Sequence, residues 1–142
     1  MKPYLLDVNV LLALAWPNHV HYREASDWFR EKGAGRFRTC PITQTGFVRI
    51  SSNPAFTAEA VTPAEALELL RRICALPGHA FWPDDVSLVE VDPAPRPAGH
   101  RQVTDAYLLA LTISHEGILA TLDRGVMSVA AGRGPAAVEV IG

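Results

Sequence analysis

The sequence predicts a single α/β domain built around a parallel sheet. Short apolar runs that suit buried strands alternate with helix-length segments, and this alternation is typical of parallel strands connected by helices. The chain has 142 residues, of which 49% are hydrophobic, so one core of ordinary size can form. No linker, repeat or low-complexity tract interrupts the sequence, and we therefore expect one domain over residues 1–142.

The strands are predicted from short apolar runs bounded by turn residues or by acids. Four such runs are residues 3–6, 37–40, 118–121 and 137–141. A run at 79–82 is compatible with a strand, and one at 87–91 with either a strand or a short helix. Residues 92–99 contain three prolines and are predicted to be a loop.

The helices are predicted from apolar periodicity and capping residues. Two helices are expected over residues 8–16 and 19–32. Thr43 and Thr104 are expected to cap two others, which end near residues 53–54 and 117. Thr62-Pro63-Ala64-Glu65 is a strong helix start, because it joins a capping box to a proline at the first helical position.

Charge and hydropathy narrow the class of protein. The net charge of −2 gives no global sign of nucleic-acid binding. No run approaches the ~20 apolar residues that span a bilayer, and the N-terminus lacks the pattern of a secretory signal. We expect a cytoplasmic protein that does not bind membranes.

Three aspartates stand out by their positions. Asp7 directly follows the first strand, Asp123 follows the 118–121 strand by two residues, and Asp105 opens a helix. Ligands of open parallel sheets gather at the carboxyl ends of the strands. Two carboxylates ~4 Å apart repel by about 4 kcal/mol at an effective dielectric of ~20, so a cluster of them calls for a cation. Oxygen ligands favour Mg²⁺ or Mn²⁺, which would acidify a water and stabilise the charge that develops on a phosphodiester.

Each of these acids also has a purely structural interpretation, and spacing alone does not prove that they meet. Asp7 is explained equally well as a helix cap, whereas Asp105 and Asp123, each taken alone, are better explained as a partner of the helix dipole and as a turn residue. Asn9 either caps a turn or orients Asp7, and Thr121 is placed to donate a hydrogen bond to a ligating carboxylate.

Five segments carry a resemblance to a known family: LLDVNVLLAL (5–14), TCPITQTGFVR (39–49), FWPDD (81–85), VTDAYLLAL (103–111) and LATLD (119–123). In their order and spacing they resemble the PIN-domain family over essentially the whole chain. The first looks like that family's opening strand and first acid, the fourth its third acid, and the fifth its fourth acid, while the second and third look like a branch of VapC toxins.

The resemblance implies a fold and an activity. The fold is a three-layer α/β/α sandwich with a central, mainly parallel sheet. The activity is that of a metal-dependent endoribonuclease, the toxin of a VapBC toxin–antitoxin system. Its RNA is often transfer RNA or ribosomal RNA, its partner is a VapB-type antitoxin, and toxin homodimers are usual.

One departure from the family pattern concerns the second acid. Many members carry a glutamate where this chain has Gln44, and an amide offers a carbonyl oxygen without a charge. We expect a weaker second metal or a single ion, unless Asp84 or Asp85 compensates. An alternative is a degenerate PIN-like domain that binds antitoxin or RNA without catalysis.

Three arginines near the motifs, Arg49, Arg101 and Arg124, are candidates for RNA phosphate contacts, although solvated surface residues would look the same.

Two rival phosphoryl-transfer classes also place acids at strand ends. A haloacid-dehalogenase-like site needs a second aspartate where Asn9 stands, and a receiver-like domain needs a late lysine, whereas no lysine follows Lys32.

Overall fold

The computed structural model describes residues 1–91, 97–130 and 134–142. Its centre is a parallel sheet of five strands in the order β3-β2-β1-β4-β5. The strands are β1 (Tyr4–Leu6), β2 (Phe37–Thr39), β3 (His79–Phe81), β4 (Ile118–Thr121) and β5 (Val138–Val140). The predicted α/β class with a parallel sheet is therefore confirmed.

Helices cover both faces of this sheet. They are α1 (Val8–Ala15), α2 (Tyr22–Trp28), α3 (Pro41–Ser51), α4 (Pro63–Cys74) and α5 (Val103–Ser114). Successive side chains of a strand point to opposite faces, so Leu6 enters one core with helices α1 to α4, and Leu5 enters a second core with α5. The three-layer architecture is thus confirmed. In the part of the chain described, every helix is too short or too polar to cross a membrane.

The order of the strands creates a crevice between β1 and β4. The chain proceeds from β1 to β2 and β3 on one side of the sheet, and places β4 and β5 on the other. Leu6 pairs with Ala120, and the Asp7 N–H donates to the Ala120 carbonyl at 3.0 Å, so both strands end at the same level. The reversal of strand order at this edge is where ligands of open α/β sheets bind.

The second predicted helix is shorter and less regular than expected. The helix expected over residues 19–32 is α2, followed by a wide helical turn at Phe29–Gly33 in which the Ala34 N–H reaches back to the Phe29 carbonyl at 2.7 Å. Gly33 permits this turn, because a Cβ there would lie 2.8 Å from the ring of Trp28.

The predicted caps at Thr43 and Thr104 are wrong. Cys40 is the N-cap of α3, and Thr43 is its third helical residue, whose hydroxyl accepts from the Cys40 N–H at 2.9 Å. A 3₁₀ turn at His100–Gln102 runs directly into α5, so Thr104 is an exposed second helical residue with no capping role.

The capping box at the start of α4 is confirmed. The Thr62 hydroxyl accepts from the Glu65 N–H at 3.1 Å, and the Glu65 carboxylate accepts from the Thr62 N–H at 3.2 Å. The 87–91 run is neither strand nor helix: a turn forms there, with the Glu90 N–H bonded to the Ser87 carbonyl at 3.1 Å. Of the loop predicted over 92–99, residues 92–96 lie outside the described residues.

Candidate active site

Asp7 lies at the carboxyl end of β1 and is only 7% exposed. It caps α1, since its Oδ1 accepts from the Val8 N–H at 2.7 Å, while its Oδ2 accepts from the Thr121 hydroxyl at 2.8 Å. Burial raises the pKa of Asp7, the hydrogen bonds from Thr121 and Val8 oppose that rise, and the charge of Asp123 adds to it. The helix-cap interpretation is therefore correct, and it leaves Asp7 fixed at the crevice.

Asp123 lies two residues beyond β4, on the other side of the crevice. Its backbone N–H donates to the Thr121 Oγ1 at 3.0 Å, and its own Oδ1 accepts from the Gly125 N–H at 2.8 Å. This turn opens a 3₁₀ segment, Arg124–Val129. The Asp123 side chain is exposed, so a ligand in the crevice can reach its carboxylate.

Asp105 approaches the same edge from the first turn of α5. The pKa of Asp105 is raised to about 6, first by burial and then by the charges of Asp7 and Asp123. Three acids that are up to 116 positions apart in sequence are thus close enough to repel one another.

The arrangement suits a hydrated divalent ion better than a fully dehydrated one. Within the described ranges, no three side chains of His, Cys, Asp or Glu converge tightly enough to ligate one ion directly. Mg²⁺ commonly keeps several waters and uses only one or two carboxylates. A cation would also relieve the repulsion that raises the pKa of Asp105. The donor set and its charge therefore fit an ion held partly through water.

Hydrogen bonds of Thr121 and Asn9 connect Asp7, which follows β1, with the turn that carries Asp123 after β4. Thr121 is fully buried at the end of β4. Asn9, the second residue of α1, accepts the Leu122 N–H on its Oδ1 at 3.2 Å and donates from its Nδ2 to the Thr121 Oγ1 at 3.4 Å. The sequence positions of Asn9 and Thr121 made both residues candidates for the site, but nothing in the sequence indicates that Asn9 bonds to Leu122 and Thr121.

Gln44 is not brought into this group. Its Nε2 donates to the Thr39 Oγ1 at 3.0 Å and to the Cys74 Sγ at 3.8 Å, and none of its hydrogen bonds to described residues involves an aspartate. Gly46 packs against Val8, next to Asp7, so closely that a Cβ at Gly46 would lie 2.8 Å from Val8 Cγ2. Residues two apart on a helix point in nearly opposite directions, so Gln44 faces away from the N-terminus of α1.

Asp85 does not replace the missing acid either. Its Oδ1 lies 2.9 Å from the Nε2 of His115, the residue that follows the last turn of α5. Asp105 lies ten residues earlier on the same helix, about 15 Å away along the axis. Asp84, next to Asp85, is exposed.

Two of the three candidate arginines lie beside the acids. Arg101 is exposed in the 3₁₀ turn immediately before α5, and Arg124 is exposed directly after Asp123, where its Nη2 donates to the Gly142 carbonyl at 3.0 Å. Arg49 lies in the last turn of α3, about 12 Å along the helix from its start at the crevice edge.

Comparison with known proteins gives consistent matches over most of the chain. The PIN domain family model matches residues 4–132. Ribonuclease VapC39 of Mycobacterium tuberculosis (strain ATCC 25618 / H37Rv) is 48% identical over 121 residues, covering 84% of this chain and 87% of the relative. Ribonuclease VapC38 of the same strain is 44% identical over 137 residues, covering 96% of each. Ribonuclease VapC44 of that strain is 40% identical over 124 residues, covering 86% and 87%.

The match to the family model extends well beyond the three acidic motifs. It includes strands β1 to β4, whereas β5 follows the end of the match at residue 132. With identities of 40% or more over more than four fifths of both sequences, the chain belongs to the PIN-domain family, among its VapC ribonucleases.

Proposed function

We propose that this chain is a metal-dependent endoribonuclease and the toxin of a VapBC-type toxin–antitoxin pair. The observation that carries the proposal is the group formed by Asp7, Asp105 and Asp123 at the crevice between β1 and β4. The names of the relatives, all ribonucleases of the VapC type, support the same activity and substrate class.

Each acid contributes differently to the proposed site. Asp7 is buried and held by two hydrogen bonds, so its position is fixed before any ligand binds. Asp123 is exposed, and Asp105 carries a proton more readily than an ordinary aspartate. A divalent ion, when bound, neutralises this group, lowers the pKa of a water and stabilises the charge on the phosphodiester.

The substrate is aligned by the residues around the acids. Arg101 and Arg124 contact the phosphates that flank the scissile bond, through the guanidinium geometry that suits phosphate oxygens. Hydrolysis leaves a 5′-phosphate and a 3′-hydroxyl. Because the 2′-hydroxyl is not the nucleophile on this route, preference for RNA comes from shape and groove contacts.

Several finer features belong to the same proposal. The ion is Mg²⁺ or Mn²⁺, and one ion suffices, because Gln44 bonds to Thr39 and Cys74 instead of adding a ligand. The RNA is a transfer or ribosomal RNA, the inhibiting partner is a VapB-type antitoxin, and the toxin works in the cytoplasm as a homodimer.

A binding-only domain is the second candidate. It is favoured by the looseness of the acidic group, which within the described residues offers no three direct ligands to one ion. Calorimetric titration with Mn²⁺ separates the two: an enzyme binds Mn²⁺ with an affinity that falls sharply in Asp105→Asn, whereas a binding module binds RNA regardless of metal and of this substitution.

The nuclease proposal is tested by expression without antitoxin. Wild type, Asp7→Ala and the control Asp27→Ala, which changes an exposed aspartate paired with Arg30 on α2, are expressed in turn, and RNA 5′ ends are mapped. We expect new discrete ends from wild type and the control but not from Asp7→Ala. Identical ends in all three would remove the nuclease assignment.

A further inference from the structure

Four groups at the crevice form a chain of hydrogen bonds that ends on Asp7. The Leu122 N–H donates to Asn9 Oδ1 at 3.2 Å, Asn9 Nδ2 donates to Thr121 Oγ1 at 3.4 Å, and the Thr121 hydroxyl donates to Asp7 Oδ2 at 2.8 Å. The Asp123 N–H also donates to Thr121 Oγ1, at 3.0 Å.

The direction of every bond in this chain follows from what each group can donate. A backbone N–H is only a donor, so the atom of Asn9 that faces Leu122 must be its carbonyl oxygen. The amide NH₂ of Asn9 then necessarily faces Thr121. The two lone pairs of the Thr121 oxygen are therefore occupied by donors, from Asn9 and from the Asp123 backbone.

The single proton of the Thr121 hydroxyl has one remaining acceptor, which is Asp7. Threonine alone would not ensure this, because a hydroxyl rotates to suit its partners. The amide NH₂ of Asn9 and the Asp123 N–H each donate to the Thr121 oxygen, so the hydroxyl proton of Thr121 cannot point toward either of them.

We propose that Asn9 is a positioning residue of the nuclease site, which acts through Thr121 to keep the threonine hydroxyl donated to Asp7. This inference rests on the proposed function, since it assigns Asn9 a role toward the ion that Asp7 helps to hold. In this role Asn9 acts on Asp7 through the oxygen of Thr121, to which its Nδ2 donates.

The test is a double-mutant cycle read by calorimetric Mn²⁺ affinity. Partners that orient a ligating carboxylate typically change metal affinity about 10–100-fold, and we expect a loss in this range for Thr121→Val. The 3.4 Å bond from Asn9 is long. We therefore expect Asn9→Ala to weaken Mn²⁺ binding less, by about fivefold to tenfold. In the Thr121→Val background, the further effect of Asn9→Ala should fall below about twofold, because coupled residues are not additive.

Three further variants keep the cycle interpretable. Thr121→Ser retains the hydroxyl and should retain the sensitivity to Asn9→Ala. Asn9→Leu keeps roughly the size of the side chain, adds no charge that would itself attract Mn²⁺, and replaces Asn9→Ala in the cycle if that variant does not fold. Asn18→Ala removes an exposed asparagine that binds Glu59, and should leave Mn²⁺ affinity unchanged.

The outcomes separate this inference from the proposed function. Undiminished effects of Asn9 substitutions in the Thr121→Val background, or no effect in wild type, would overturn the role of Asn9. If Asp105→Asn binds Mn²⁺ as tightly as wild type in the same titration, the proposed metal site is wrong. If Asp105→Asn loses Mn²⁺ binding but the effects of the Asn9 and Thr121 substitutions are additive, the metal site stands and only the positioning role of Asn9 is wrong.

Discussion

Substitution of Asp105 by asparagine should stabilise the metal-free protein at neutral pH. The pKa of Asp105 rises from its ordinary 3.8 to about 6, so its ionised form is disfavoured in the folded state. At 1.36 kcal/mol for each pKa unit this amounts to about 3 kcal/mol. Because the side chain is only half-buried, solvent screening reduces the expected value to about 1–2 kcal/mol.

The sign of the pH dependence follows from the raised pKa. The folded chain binds the Asp105 proton more tightly than the unfolded chain, so the stabilising contribution is fully present below about pH 4 and is lost as the pH rises through about 6. About a third of the effect is already present at pH 4.5, so Asp105→Asn should gain about 1 kcal/mol relative to wild type between about pH 4.5 and pH 7.5.

Urea unfolding in EDTA at these two pH values measures the effect, with Asp84→Asn, which changes an exposed aspartate, as the matched control. Added Mn²⁺ should reverse the order, because a ligand that binds only the folded state stabilises it by about 2.7 kcal/mol at 100 times its Kd. A constant difference between Asp105→Asn and wild type at both pH values would refute the raised pKa of Asp105, and with it the burial and repulsion that account for the rise.

Three other substitutions test the fold and the RNA contacts. Thr62→Ala removes the capping box of α4 and should cost about 1 kcal/mol in urea unfolding. Gly78→Ala should cost about 3 kcal/mol or more in the same assay, because φ is +89° and the new Cβ would collide with the backbone of Gly35. Arg101→Ala should weaken RNA binding and reduce the slope of log Kd against log salt by about one; Arg71→Ala, which removes an arginine paired with a glutamate on α4, should not.

The sequence was sufficient for the fold class because the strands are short apolar runs that end at polar residues. Tyr4–Leu6 and Ile118–Thr121 are mostly buried in the sheet, and the acids that follow them, Asp7 directly and Asp123 after one further residue, could be located from the sequence alone. The adjacency of β1 and β4 could not be read in this way, since it depends on pairing between residues that are 114 positions apart. The reversal of strand order, which makes the crevice, is a property of that pairing.

Local context overrode the sequence signals at the helix starts. Thr43 and Thr104 are good capping residues by type, but Pro41 starts α3 earlier, and a 3₁₀ turn leads into α5 at Val103. Leu88 and Val89 looked like a strand or helix because they are apolar, yet both are exposed on a turn. Apolar composition without strict periodicity does not distinguish these cases.

Gln44 does not join the acids because it lies on the wrong face of α3, which the sequence did not reveal. Its sequence position early in α3 suggested a place among the acids, but packing of Gly46 against Val8 turns Gln44 toward Cys74 and α4. The sequence position of Thr121 suggested a hydrogen bond to a ligating carboxylate, but the bonds of Asn9 to Thr121 and Leu122 are defined only by the folded chain.

The most direct measurement of the central proposal is anomalous X-ray scattering from crystals grown with Mn²⁺. We expect a single manganese peak in the crevice, within reach of Asp7, Asp105 and Asp123 directly or through one water, and its loss in Asp105→Asn. A manganese peak elsewhere, or none at all in crystals of a protein that still cleaves RNA, would contradict a shared divalent ion as the basis of the activity.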